Sequence, residues 1–135
     1  MKANIIKLQS HGDERGSLIA LEQGVNIPFE IKRVYYIFDT KEGVARGHHA
    51  HQNLSQIAVV VRGSCDFVLD NGKERIDIRM DNPLEGLIIN SMTWREMSNF
   101  SDDCVLMVLA SQLYNEDDYS FNVVFKWSCS CTTCQ

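Results

Sequence analysis

The sequence lacks an apolar run approaching the ~18 residues that a membrane span requires, and its opening, MKANIIKLQSHGDERG, contains no signal-peptide core. These absences exclude a helical membrane anchor as a reading and predict a cytoplasmic protein with no membrane partner. Basic charge is also short, with 13 Lys and Arg against 18 Asp and Glu, a formal net charge of -5. No basic stripe runs along any segment, which argues against nucleic acid as a partner. A few arginines in a pocket could still hold a small anion. Linkers, internal repeats and low-complexity stretches are missing too. The expectation is one domain over residues 1–135, with a folded body at about 5–126 and a Cys-rich tail at 127–135.

Histidine is scarce: four in 135 residues, at His11, His48, His49 and His51. Five cysteines are present. Cys65 and Cys104 lie in apolar strand-like runs and are expected buried, reduced and inert. Cys129, Cys131 and Cys134 crowd the tail as CSCTTC. Three thiols with no fourth ligand nearby make a poor metal site, so a polar terminus is the reading preferred.

What is present is mostly strand. The segments IKRVYYIFD (31–39), LSQIAVVVRG (54–63), CDFVLDNG (65–72) and ERIDIRM (74–80) are rich in β-branched and aromatic residues. Turn signals at Arg62-Gly63-Ser64 and Asp70-Asn71-Gly72-Lys73 separate them, Asn71-Gly72 being the strongest hairpin signal. GLIIN (86–90) and CVLMVLAS (104–111) add two strands, and helix is confined to the region of residues 115–119. The fold class is all-β, an antiparallel barrel with an apolar interior supplied by residues such as Phe67, Leu69, Ile76, Leu106 and Val108.

The segment GVARGHHAHQNLSQIAVVVRG (43–63) carries the chemistry. His49 and His51 are two residues apart on an expected strand, so both imidazoles share one face. An unperturbed imidazole pKa of ~6.5 suits general acid and base work near neutrality. Alternation turns His48 away from the pair, and His11 lies in a polar turn.

The spacing from Gly43 through five residues to His49, one to His51, four to Gln56 and six to Gly63 resembles the first motif of the cupin jelly-roll barrels. Those barrels usually have Glu where this chain has Gln56, and that Glu helps to bind metal. The region of the second motif, GLIINSMTWREM, holds no histidine. Two imidazoles alone are too few ligands for zinc or iron, so catalysis without metal or other cofactor is expected.

Along residues 5–126 the chain further resembles the sugar 3,4-ketoisomerases that act on thymidine-diphosphate-4-keto-6-deoxyglucose. The matching residues are Asp13-x-Arg15-Gly16-x-Leu18, the run from Pro28 to Tyr35, Arg46-Gly47-x-His49-Ala50-His51, Gln56, Gly63-Ser64-Cys65, Gly86-Leu87, Trp94-Arg95-Glu96-Met97 and Tyr114-x-x-x-Asp118-Tyr119. This resemblance implies an isomerase that moves a ketone from C4 to C3 through an enediol, using His49 and His51, with His49 favoured as the carbon base. One of Tyr35 and Tyr36 is expected to point into the barrel, and the resemblance favours Tyr36 as the acid.

Arg15, Arg46 and Arg33 are candidates for the diphosphate and sugar region, since a guanidinium holds two anionic oxygens at once. Gln56, Trp94 and Arg95 complete the substrate-binding set, Trp94 either stacking on thymine or plugging the barrel end. The resemblance also implies a homodimer paired through N-terminal strands, and a role in deoxyamino-sugar and polysaccharide biosynthesis. Two other classes compete with this reading. One is a 3,5-epimerase of the nucleotide-sugar cupins, which lacks the His-Ala-His pair. The other is a non-catalytic sugar-binding cupin. A metal-dependent dioxygenase is disfavoured by the missing ligands.

Overall fold

The computed structural model describes residues 1–120, and within them the chain forms twelve strands and one short 3-10 turn. Every ladder between named strands is antiparallel. One five-stranded sheet has the order β1 (Ile5–Lys7), β9 (Glu85–Ile89), β6 (Gln56–Arg62), β11 (Val105–Ala110), β4 (Arg33–Ile37). A second has the order β12 (Tyr119–Ser120), β5 (Arg46–His51), β10 (Trp94–Ser98), β7 (Cys65–Asp70), β8 (Arg75–Met80). The jelly-roll expectation holds: the two sheets face each other and bury one interior between them.

That interior is built by alternation. Ala58, Val60, Leu87, Ile89, Leu106 and Val108 come from the first sheet, and Phe67, Leu69, Met80 and Met97 from the second. Facing sheets with period-2 side chains interdigitate in this way. Cys65 and Cys104 are buried in the same cluster, and burial pushes the Cys65 thiol up to about 12, as an inert core thiol requires. The tail cysteines Cys129, Cys131 and Cys134 lie outside the described residues.

A second cluster covers the outer face of the first sheet. Ile57, Val59 and Leu109 pack there against Leu8 and Ile27, with Ile19, Leu21, Phe29 and Ile31 alongside. The cover stops short of β4, whose outward Val34 and Tyr36 stay exposed together with Phe38. Before this cover, β2 (Ser10–Asp13) and β3 (Gly16–Ile19) form a hairpin paired only with itself and exposed over nearly its whole length. The sequence gives this arm no apolar alternation, so its residues did not mark it as strand, and only the resemblance implied N-terminal strands.

The turns follow their residues. At Asn71-Gly72 the Asn71 carbonyl side chain accepts from the backbone N–H of Lys73 and Glu74 at 2.9 and 2.8 Å, and Gly72 takes φ 89°. Within 104–111 the strand runs Val105–Ala110, and the expected helix near 115–119 is a single 3-10 turn at Glu116–Asp118.

Candidate active site

His49 and His51 face the interior, as their spacing predicts, with ring centroids 4.8 Å apart and planes at 90°. Cross-strand pairing sets this orientation. His49 lies opposite Arg95, which alternates with the core residue Met97 and shares its inward face. A bulge interrupts the ladder at this point: Arg95 pairs with His49 and Glu96 with Gly47, leaving His48 as the extra residue. Gly47 and His48 take φ 92° and 57°. A Cβ on Gly47 would lie 2.8 Å from the Arg95 backbone oxygen, so only glycine lets β5 run this close to β10.

The bulge changes what alternation alone would give. Arg46 pairs with Met97, so it shares the inward face with His49 despite the odd separation, and it sits exposed at the strand end. His48 is turned outward, toward the Trp94 ring at 6.4 Å and Glu96 at 3.9 Å.

Each imidazole is oriented through Nδ1. The Gly47 carbonyl lies 2.8 Å from His49 Nδ1. A carbonyl only accepts, so this nitrogen carries the proton and Nε2 the lone pair. His51 Nδ1 is 3.1 Å from the Asp118 carboxylate, which leaves its Nε2 with the lone pair in the same way. Asp118 is held in turn. Its other oxygen accepts the Asn53 backbone N–H at 2.8 Å, and its carbonyl accepts that of Gln52 at 3.0 Å.

Both imidazoles are kept neutral. Burial lowers the pKa of His49, and the charges of Arg95 and His48 add to this against the Gly47 bond. For His51, burial first, then Arg95 and His49, outweigh Asp118 and bring the value to about 4. Two neutral imidazoles at pH 7 are poised to accept protons rather than to donate them.

Arg95 is the hub. It is 2% exposed, and its guanidinium donates to the Thr93 carbonyl at 3.2 Å and to Gln56 Oε1. Gln56, 3% exposed on β6 of the facing sheet, donates from Nε2 to the Tyr35 hydroxyl oxygen at 3.1 Å. The Arg33 guanidinium lies over the Tyr35 ring at 4.7 Å and the Tyr114 ring at 5.2 Å. Histidine pair, Arg95, Gln56, Tyr35 and Arg33 therefore form one continuous constellation across the two sheets. It can take a proton from carbon and move another between oxygens.

Three expected members stand elsewhere. Tyr36 points out of the first sheet, 65% exposed and 5.8 Å from Phe38, while Tyr35 points in. Trp94 alternates with Arg95 and so lies on the opposite face from the histidines, its Nε1 donating to Glu96 at 2.9 Å. Arg15 sits exposed in the turn of the β2–β3 hairpin, where its Nε donates to Asp13 at 3.0 Å. Asp118 was missed as a site residue. Its only sequence signal is its place in the Tyr114-x-x-x-Asp118-Tyr119 match.

Comparison with known proteins points one way. The family model described as "FdtA: WxcM-like, C-terminal" matches residues 1–125. The chain is 50% identical over 119 residues to the TDP-4-oxo-6-deoxy-alpha-D-glucose-3,4-oxoisomerase of Aneurinibacillus thermoaerophilus, covering 88% of this chain and 86% of that protein. It superposes on the 3,4-ketoisomerase of Helicobacter canadensis with a TM-score of 0.86 at 48% identity, over 90% and 92% of the two chains. A histidine-to-asparagine variant of the 3,4-ketoisomerase QdtA from Thermoanaerobacterium thermosaccharolyticum, in complex with TDP-4-keto-6-deoxyglucose, superposes with a TM-score of 0.87 at 39% identity. That match spans 91% of this chain and 89% of QdtA.

Proposed function

The chain belongs to the FdtA (WxcM-like, C-terminal) family, and we propose that it is a 3,4-ketoisomerase of TDP-4-keto-6-deoxyglucose. The observation that carries the reading is the neutral, interior-facing histidine pair, oriented through both Nδ1 atoms so that the lone pair of each ring is on Nε2. His49 takes the proton from C3, acidified by the neighbouring ketone, while Tyr35 gives its hydroxyl proton to O4. The enediol that results then yields its O3 proton to Tyr35, and C4 takes up the proton held by the His49 imidazolium, directly or relayed through His51. The ketone now stands at C3, and each side chain is restored.

No step needs metal, and the donor set does not fit one. Gln56 turns its only acceptor oxygen to Arg95, and that guanidinium places a positive charge beside both imidazoles. A cation would have to displace this arrangement to reach three protein ligands.

Arg46, on the histidines' own strand, and Arg33, on the inward side of β4 in the facing sheet, are suited to the diphosphate. The self-paired hairpin and the uncovered Val34, Tyr36 and Phe38 support a homodimer in which the arm, with Arg15, reaches a second copy. Equilibrium sedimentation tests this, and a concentration-independent monomer rejects it. Among the described residues no helix is long and apolar enough to cross a membrane. A cytoplasmic place supplying 3-keto sugars to deoxyamino-sugar and surface-polysaccharide synthesis is the setting proposed.

A proton NMR time course with TDP-4-keto-6-deoxyglucose in D2O tests the activity. A 3-keto product with deuterium at C4 is expected. Exchange at C5 would instead mark a 3,5-epimerase, and nucleotide binding without turnover would mark a sugar-binding protein.

A further inference from the structure

The interior carries a donor–acceptor chain whose direction is fixed at one end. A guanidinium has five N–H donors and no acceptor. Whatever part of the Gln56 amide faces Arg95 must therefore be its oxygen. The NH2 end is then committed to Tyr35, and the hydroxyl oxygen of Tyr35 must accept. An oxygen that accepts from Gln56 cannot aim its own proton back along the same line. The proton is directed away from Gln56.

A glutamate at the same position would reverse this. Both of its oxygens accept, so a carboxylate held by Arg95 on one side would draw the Tyr35 hydroxyl proton onto the other. The tyrosine would then present a lone pair, not a proton, to its surroundings. The difference between Gln and Glu in this motif thus reaches a group on another strand, β4.

We propose that Gln56 is a positioning residue whose amide polarity, set by Arg95, keeps the Tyr35 hydroxyl proton available to the sugar oxygens. This rests on the 3,4-ketoisomerase reading, in which Tyr35 gives a proton to O4 as C3 is deprotonated and regains one from O3 as C4 is protonated. In the intermediate state the phenolate oxygen keeps the Gln56 N–H as its donor, so the same bond that aims the proton also stabilises the charge left behind. Burial of Gln56 and Arg95 strengthens the effect, because water does not compete for either end of the amide.

The test is a double-mutant cycle on kcat in the full-length protein, with Gln56→Glu, Tyr35→Phe and the two combined. Gln56→Glu should fold normally, since the carboxylate matches the amide in shape and pairs with Arg95. It should lower kcat by ~100-fold with KM changed less than ~3-fold. In the Tyr35→Phe background the same change should cost less than ~3-fold, because the residue it acts through is gone. Gln56→Met, which removes the donor without adding charge, serves if the glutamate variant does not fold, and should show the same non-additivity. Equal costs in both backgrounds, or a Gln56→Glu enzyme at near wild-type kcat, would overturn the proposal. A wild-type protein that forms no 3-keto product would reject the activity itself, and this inference with it.

Discussion

Acidification should destabilise this protein through His51 in a narrow and calculable window. His51 is only 4% exposed, and burial first, then the charges of Arg95 and His49, hold its pKa at about 4 against an ordinary 6.5. The unfolded chain therefore binds a proton that the folded chain refuses between those two values. Stability rises with pH wherever the unfolded state holds more protons. The contribution is level above pH 6.5, falls by roughly 1.4 kcal/mol per pH unit below it, and levels again near pH 4. At pH 4.5 the expected loss relative to pH 7 is roughly 2.5 kcal/mol from this residue alone. Urea unfolding at pH 7 and 4.5, for wild type and His51→Gln, isolates it because the surface carboxylates titrate in both. Wild type should lose about 2.5 kcal/mol more than the variant over that interval. Equal losses would refute the reasoning, since His51 would then be protonated in the folded protein as easily as in the unfolded one.

Other expectations concern turnover and folding. His49→Asn and His51→Asn should each reduce kcat by ~100- to 10,000-fold while nucleotide affinity, read by calorimetry with TDP, is largely kept. Tyr35→Phe should lower kcat by at least ~100-fold, whereas Tyr36→Phe, outside the barrel, should leave it within ~2-fold; the NMR assay separates the two. Asp118→Asn removes the charge that raises the His51 pKa, so the acid limb of kcat/KM should move to lower pH. The loss of the charge-assisted bond should cost ~10- to 100-fold in rate. Gly47→Ala places a Cβ 2.8 Å from the Arg95 carbonyl oxygen at a φ of 92°, and calorimetry should find Tm lowered by ~5–10 °C.

The strands were legible because β-branched runs and turn residues mark them directly, and the histidine pair because period 2 fixes which residues share a face. What alternation cannot say is which face turns inward. On β4 the choices were Arg33, Tyr35 and Ile37 or Val34, Tyr36 and Phe38, and both sets carry an aromatic ring and aliphatic bulk. Only the pairing of Val108 with Tyr35 on the neighbouring core strand decides it. The face of Trp94 was hard to read for a related reason, since Arg95 beside it is a charged residue on the buried inward face, against the usual order of preference. Strict alternation would put Arg46 and His49 on opposite faces, and the bulge at His48 unites them. Gly47 was the available sign of that irregularity, as a glycine inside a strand pattern often is. Asp118 lay beyond any periodicity argument, sixty-seven positions from the His51 it orients.

The constellation also explains why a neutral amide occupies a place where cupins usually keep a carboxylate. A glutamate ligand works with histidines by adding negative charge to balance a metal cation. Here the cation is a side chain, Arg95, fixed in the interior by the Thr93 carbonyl and the Gln56 oxygen. A carboxylate at position 56 would pair with it and would accept, where the amide donates, on the side of Tyr35. Gln56 satisfies the guanidinium without neutralising it, and its remaining N–H faces Tyr35. The amide therefore holds Arg95 on one sheet and orients the Tyr35 hydroxyl on the other. Two functions that a metal would join at one point are here distributed along a hydrogen-bonded line between the sheets.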